Sequence, residues 1–235
     1  MRFSLKIASI SGIEVRIHLT FLLFLAWIWF SYYEIAGVDG ATQGVLLFLA
    51  LFAGVLLHEF GHAFAARAFG IQTADITLLP IGGVARLNRI PDEPWQELVV
   101  AVAGPLVNVV IAAALGFVVH TNGVLDQLES IENPRIALLA QLVSVNIMLV
   151  LFNLIPAFPM DGGRVLRALL AMAMPYSRAT SIAARIGQAL AICLAIYSFF
   201  GPNGDPILIF IAFFIFIGAR QGAAMVRMRQ APPPP

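Results

Sequence analysis

The sequence has one cysteine and few charged residues, and both shortages exclude classes of protein. Cys193 lies in an apolar stretch, where we expect it to pack, and a single cysteine can form neither an intrachain disulfide nor a thiolate metal cluster. Charged residues make up 11% of the 235 residues, against about 25% in soluble globular proteins. The formal net charge is only +1, so no nucleic-acid partner is expected.

The sequence is rich in long apolar stretches. Hydrophobic residues make up 60% of the chain, and stretches long enough to span a bilayer recur along it. We predict six transmembrane helices, at residues 19–37, 42–66, 98–119, 136–157, 180–200 and 206–226. The fold class expected is an all-α polytopic membrane protein, with residues 1–235 as a single integral-membrane domain. The first apolar stretch is predicted to be a retained helix rather than a signal peptide, and residues 231–235 a proline tail.

The distribution of basic residues predicts the orientation in the membrane. Six spans place both termini on one side, together with the loops at 67–97 and 158–179. Thirteen of the fourteen basic residues lie in or beside these segments, and only Arg135 falls on the other side. Because Lys and Arg are enriched in cytoplasmic segments, we expect a multi-pass plasma-membrane protein with both termini in the cytoplasm.

Two segments on the predicted cytoplasmic side have the pattern of β-hairpins rather than spans. Residues 13–17 alternate apolar and polar side chains after the turn signal Ser11-Gly12, and residues 5–7 can pair with them. The segment 71–90 is interrupted by Pro80 and by Gly82-Gly83, which also suggests paired strands. The alternative is that both segments are surface loops.

The segment from His58 to His62 reads His-Glu-Phe-Gly-His and lies inside the second predicted span. On a helix the two histidines are one turn apart on the same face, so both imidazoles can bind one zinc ion. Glu59 is adjacent and can act as a general base. Ionisable residues at membrane depth are costly and normally mark function.

A catalytic zinc site normally has three protein ligands, so the sequence must supply one more, and five acids are candidates for it. Asp75, Asp92, Glu93 and Glu97 lie in a polar loop, where charges are ordinarily solvated. Asp161 follows Pro156 and Pro159, which obstruct regular helix at the end of the fourth span. Irregular backbone at membrane depth is tolerated where it lines a cavity, which favours Asp161 as the ligand. The alternatives are that it caps the next helix or pairs with Arg164.

These motifs together resemble the site-2 protease family of intramembrane zinc metalloproteases. The resemblance includes His58–His62, the run from Asn153 through Pro156 and Pro159 to Asp161-Gly162, the segment 103–108, and the glycines at 82 and 83. It implies one Zn²⁺ per chain held by His58, His62 and Asp161, with Glu59 as the catalytic base. It also implies that Asn153 donates to the oxyanion, although an inter-helix hydrogen bond is the alternative. Asn108 is expected to support the site or helix packing.

The function expected is therefore cleavage of single-pass membrane proteins within the lipid bilayer. Gly82 and Gly83 would let an unwound substrate strand approach the hairpin closely and add to its edge. One competing hypothesis is a metal transporter or channel, which needs the ligands but not a base such as Glu59. A second is an inactive scaffold that binds membrane proteins, which has no need of all four site residues. A homo-oligomer is compatible with the sequence.

Overall fold

The computed structural model describes residues 3–89, 91, 93–121, 134–201 and 205–230. Its elements are β1 (Ser4–Ile10), β2 (Ile13–His18), α1 (Leu19–Ala68), β3 (Thr73–Leu79), β4 (Gly82–Leu87), α2 (Pro94–Thr121), α3 (Pro134–Asn153), α4 (Asp161–Ala171), α5 (Tyr176–Phe200) and α6 (Pro206–Gln230). The predicted proline tail at 231–235 and the candidate Asp92 lie outside these residues. Two compact units emerge: residues 1–90 with 103–150, and residues 91–102 with 151–235.

In the first unit, α1 is a long helix with a break that lets the chain fold back on itself. Ala36 and Gly37 have non-helical backbone angles, and Gly37 has a φ of 63°, a conformation that glycine adopts without steric cost. Phe21 before the break therefore packs edge-on against Phe52 after it, with ring centroids 4.6 Å apart. The predicted spans 19–37 and 42–66 correspond to the two sides of this break.

The strands of the first unit form one four-stranded sheet in the order β1-β2-β3-β4. Ser11 and Gly12 both have positive φ in the predicted turn between β1 and β2, as a tight hairpin requires. The two predicted hairpins do not stand apart, because β2 and β3 pair in parallel. Apolar side chains of these two strands pack on the part of α1 that carries the histidines; the buried residues of this cluster are Ile13, Val15, Phe60, Ala63 and Ile76.

In the second unit, the irregular segment 154–160 packs with α5 and α6. Ala157 and Met160 share a buried cluster with Ala191 and Ile215, and Phe158 packs with Ala183 and Ala219. The predicted fourth span at 136–157 ends too late, since α3 stops at Asn153. The cause is Pro156, which cannot continue a helix and biases its preceding residue away from helical backbone.

Apolar helices dominate the chain, as the composition predicts. Within the part of the chain that the structure describes, three helices have the length and hydropathy to cross a membrane: α1, α2 and α5. Leu138–Asn153 and Pro206–Arg220 are shorter apolar helical segments. The prediction of a mostly helical apolar chain with small strands is confirmed. The six spans, their orientation and the single domain stay predictions.

Candidate metal centre

His58 and His62 are buried one turn apart in α1, at 6% and 4% exposure. Their Nε2 atoms lie 3.1 Å apart, and the rings are nearly perpendicular at 85°. Two nitrogens bound to one tetrahedral zinc at about 2.0–2.1 Å would be about 3.4 Å apart. The pair therefore has the spacing of two imidazoles directed at a common ion, as the helical period predicts.

Glycines make room for the two imidazoles where α2 crosses α1. A Cβ on Gly104 would overlap His62 Nε2 and would lie 2.8 Å from His58 Nε2. A Cβ on Gly61 would lie 2.7 Å from the carbonyl oxygen of Ala103. Only glycine at these positions lets the α2 backbone lie directly against the histidine face of α1. Gly104 is a site residue that the sequence motifs alone do not mark.

Asn108 of α2 supports the His58 ring from its other nitrogen. The Nδ1 of His58 donates to Oδ1 of Asn108 across 2.6 Å, and Asn108 is fully buried. Metal-binding histidines usually make such a bond, which fixes the orientation of the ring. The predicted supporting role thus corresponds to a direct contact with a candidate ligand.

Glu59 is half-buried and lies against β4. A Cβ on Gly83 would lie 2.6 Å from Cγ of Glu59, so a side chain at this position would displace the glutamate. Gly82 has a φ of 135°, which glycine adopts readily, and has open space around it. β4 is an edge strand of the sheet. The addition of a substrate strand at Gly82 and Gly83 stays a prediction.

Asp161 belongs to the second unit and is the first residue of α4. It is 7% exposed, and one carboxylate oxygen lies 3.5 Å from Nη1 of Arg164. The predicted alternative of an ion pair with Arg164 is therefore present. The alternative of a helix cap is not, because Met160 holds the N-cap position of α4.

The backbone before Asp161 is irregular, as Pro156 and Pro159 predict. The Phe158-Pro159 peptide bond is cis, and the amide of Met160 donates to the carbonyl of Ala157 across 3.0 Å. A Cβ on Gly162 would overlap the carbonyl oxygens of Leu154 and Ile155, so this glycine lets α4 begin directly against the irregular segment. Asn153 is half-buried at the end of α3, and its predicted oxyanion role stays a prediction.

A buried ion pair, which no sequence motif indicates, connects α4 to the start of α2 in the second unit. Arg167 Nε donates to Glu97 Oε1 across 3.0 Å, and a second guanidinium nitrogen contacts the same oxygen. The Arg167 guanidinium also lies 5.0 Å from the ring centre of Phe158 and 5.1 Å from that of Tyr176. Arg167 thereby connects α4, the irregular segment and α5.

Ion pairs account for two of the other four candidate acids, Asp75 and Glu97. Glu97 is paired with Arg167. Asp75 on β3 accepts from Arg86 Nε across 3.0 Å, and this hydrogen bond holds the pKa of the Asp75 carboxyl below its usual value. Glu93 is exposed. Within the described residues, the group with the donors to hold a metal ion is His58, His62 and Asp161, all buried. Two imidazoles and one carboxylate are a donor set that fits zinc.

Comparisons with known proteins place zinc metalloproteases among the relatives of this chain. The family model "Peptidase family M50" matches residues 46–133 and 125–194, more than half of the chain. A zinc metalloprotease of Methanocaldococcus jannaschii is 39% identical over 97% of this chain. Stage IV sporulation protein FB of Bacillus subtilis is 28% identical over 68% of it. The chain spans 63% and 52% of the lengths of these two relatives.

A solved structure of a similar protein matches almost the whole chain. The site-2 protease from Methanocaldococcus jannaschii has 38% sequence identity and a TM-score of 0.65, and the match covers 94% of this chain and 95% of that one. The resemblance that the His58–His62 and Asp161 motifs predicted is thereby confirmed. The chain belongs to peptidase family M50, together with proteins named as zinc metalloproteases.

Proposed function

We propose that this protein is an intramembrane zinc metalloprotease that cuts membrane-protein substrates. The observation that carries the proposal is the buried His58 and His62 pair, with Glu59 between them, on an apolar helix of membrane-spanning character. A helix with this composition has little reason to bury two imidazoles beside a carboxylate unless they have a function. Membership of the M50 family supports the same activity.

In this proposal His58, His62 and Asp161 hold one zinc ion per chain. When bound, zinc supplies Lewis-acid polarisation of the scissile carbonyl and makes water nucleophilic near neutral pH. Glu59 accepts the proton of the attacking water and then delivers it to the leaving amine, which is the role of a general base followed by a general acid. Asn153 donates a hydrogen bond to the developing oxyanion.

The substrates that suit this setting are single-pass membrane proteins. Many large apolar side chains of the candidate spans are exposed, among them Phe30 at 66% and Phe117 at 69%. An apolar exterior of this kind suits contact with lipid and with transmembrane segments. We place the protein in the plasma membrane as a multi-pass protein with both termini in the cytoplasm, on the basis of its distribution of Lys and Arg.

The position of Glu59 argues against the two competing hypotheses. A transporter or channel requires ligands that release the metal, but it has no use for a proton acceptor adjacent to them. Gly83 leaves space for the Glu59 side chain, and an inactive scaffold would not need that space. Both hypotheses predict that a neutral residue at position 59 leaves the activity of the protein, metal transport or the binding of membrane proteins, unchanged.

The first prediction tests the role of Glu59. Glu59→Gln should lower the cleavage rate by about 100-fold or more, since general base catalysis contributes roughly 10²–10⁴-fold, and should retain the bound zinc. The assay uses the full chain in lipid vesicles, a fluorogenic peptide with an apolar transmembrane segment, and metal analysis of the same samples. Glu93→Gln makes the same chemical change at an exposed position and should have no effect.

Two results would contradict the proposal. Undiminished cleavage by Glu59→Gln would show that Glu59 is not the general base. Loss of zinc in that variant would show that Glu59 is a ligand. If the wild-type chain binds zinc and moves it across the vesicle membrane without cutting any peptide, the transporter hypothesis replaces the protease.

A further inference from the structure

Three hydrogen bonds in series connect the ring of His58 to a backbone carbonyl of α3. His58 Nδ1 donates to Asn108 Oδ1 across 2.6 Å, and Asn108 Nδ2 donates to Asn146 Oδ1 across 2.8 Å. Asn146 Nδ2 then donates to the carbonyl of Leu142, also across 2.8 Å. Asn108 and Asn146 are 0% and 3% exposed. All four residues belong to the first unit.

The carbonyl of Leu142, at the end of this series of hydrogen bonds, determines the direction of every bond in the series. A backbone carbonyl has no hydrogen, so Leu142 can only accept, and the amide nitrogen of Asn146 must face it. The amide oxygen of Asn146 therefore faces Asn108, and Asn108 must present its nitrogen in return. This leaves the oxygen of Asn108 for His58, so the His58 proton lies on Nδ1 and the lone pair on Nε2.

We propose that Asn146 and Asn108 are positioning residues that hold His58 in the tautomer whose Nε2 carries no proton. A metal ion binds the unprotonated nitrogen of a neutral imidazole. Nε2 is the atom of His58 that lies beside Nε2 of His62. Asn146 thus selects the metal-binding form of His58 through Asn108. The inference rests on the proposed zinc site and extends it to a residue on another helix.

A purely structural role for Asn146 makes a different prediction. Asparagines commonly join membrane helices by hydrogen bonds, and in that role the direction of the bonds does not matter. Without Asn146, however, the amide group of Asn108 is free to turn over and present its nitrogen to His58. The ring would then accept at Nδ1 and carry its proton on Nε2, which blocks metal binding.

The second prediction is that Asn146→Leu weakens zinc binding by about 10-fold or more, in line with the roughly 10–100-fold cost of losing an outer-shell partner. Zinc affinity is measured by competition with a chelator. The tautomer is read independently by ¹⁵N NMR of the metal-free chain with labelled histidine at a pH where the imidazoles are neutral. The sequence has only four histidines, and His58→Gln assigns the signal. In Asn146→Leu we expect the Nδ1–H form of His58 to lose its dominance.

A rescue variant separates tautomer selection from structure. A carboxylate only accepts hydrogen bonds, so Asn108→Asp requires the proton on His58 Nδ1 without help from Asn146. The double variant Asn108→Asp with Asn146→Leu, in which no amide oxygen of residue 146 faces the carboxylate, should therefore keep the Nδ1–H tautomer of His58 and bind zinc more tightly than Asn146→Leu. Ser144→Ala, which removes an exposed hydroxyl from the same helix, should leave both measurements unchanged. If Asn146→Leu does not fold, Asn146→Ala replaces it in both variants.

The inference is overturned if Asn146→Leu keeps the wild-type tautomer and zinc affinity, or if the double variant loses as much affinity as Asn146→Leu does. These outcomes are distinct from failure of the proposed function. A wild-type chain that binds zinc and cuts nothing would contradict the protease while leaving the tautomer measurement intact.

Discussion

The two regions that supply the candidate ligands are built in opposite ways. The histidine region (His58–His62, with Gly104 and Asn108) lies on regular helix, where spacing alone aligns the two imidazoles. The aspartate region (Asn153–Arg167) depends on a break in helix, with Asp161 at the start of α4 after an irregular segment. The first region relies on close helix packing, and the second on a buried ion pair and proline-directed backbone.

This difference indicates how each region can fail. Regular helices tolerate changes on their outer faces but not in the narrow space where α2 meets the imidazoles. The irregular segment has few backbone hydrogen bonds of its own, so its position relies on contacts such as those of Arg167 with Phe158 and Glu97. A change in the packing of α2 should therefore disturb the histidine region first, and a change in the contacts of Arg167 should disturb the aspartate region first.

The third prediction concerns the histidine region and has the larger expected effect. Gly104→Ala places a methyl group against Nε2 of both histidines, so zinc affinity should fall by about 100-fold or more, at the upper end of the effects seen for outer-shell changes. Chelator competition on the folded protein measures it. Gly116→Ala on the same helix meets no neighbouring atom and is the matched control.

Wild-type zinc affinity in Gly104→Ala would contradict the close packing of α2 on the imidazoles. Equal losses of zinc affinity in Gly104→Ala and Gly116→Ala would mean that any alanine in α2 disturbs the protein. The loss in Gly104→Ala could then not be assigned to contact with the imidazoles.

The fourth prediction concerns the aspartate region and has a smaller effect on the metal. Arg167→Met leaves Glu97 buried without its cation, which should lower the free energy of unfolding by about 3–5 kcal/mol. Thermal unfolding of the metal-free protein measures the loss. Zinc affinity of the protein that remains folded should fall less than in Gly104→Ala, because no ligand atom is blocked.

The double variant Glu97→Gln with Arg167→Met removes both charges and tests whether the ion pair is the cause. It should be more stable than Arg167→Met, since no unpaired charge remains buried. Equal instability of the two would instead attribute the effect to the packing of the Arg167 side chain on Phe158 and Tyr176.

The sequence predicts the histidine region well because the α-helix has a fixed period. His58 and His62 must lie on one face wherever that segment is helical, and Glu59 must lie beside them. The end of α3 was also predictable in kind, because Pro156 interrupts helix, although the predicted boundary at 157 was four residues late.

Contacts between distant segments were not predictable in the same way. Arg167 was recognised only as one of many basic residues, because its partner Glu97 lies 70 positions away. Small residues are common in membrane helices, so the role of Gly104 is recognisable only once its contact with His58 and His62 is known. Asn146 offered a weak signal, since a polar residue in an apolar helix is a reason to look for function, but the direction of its bonds required coordinates.

The most direct test of the central claim is the zinc affinity of Asp161→Asn, the fifth prediction. Asparagine keeps the size of the side chain but removes the charged ligand, so the loss should exceed the roughly 10–100-fold that an outer-shell change costs. Arg164→Gln removes the ion pair seen at Asp161 without removing a ligand, and should bind zinc nearly as the wild type does. Wild-type affinity in Asp161→Asn, or an equal loss in Arg164→Gln, would contradict the assignment of Asp161 as the third ligand.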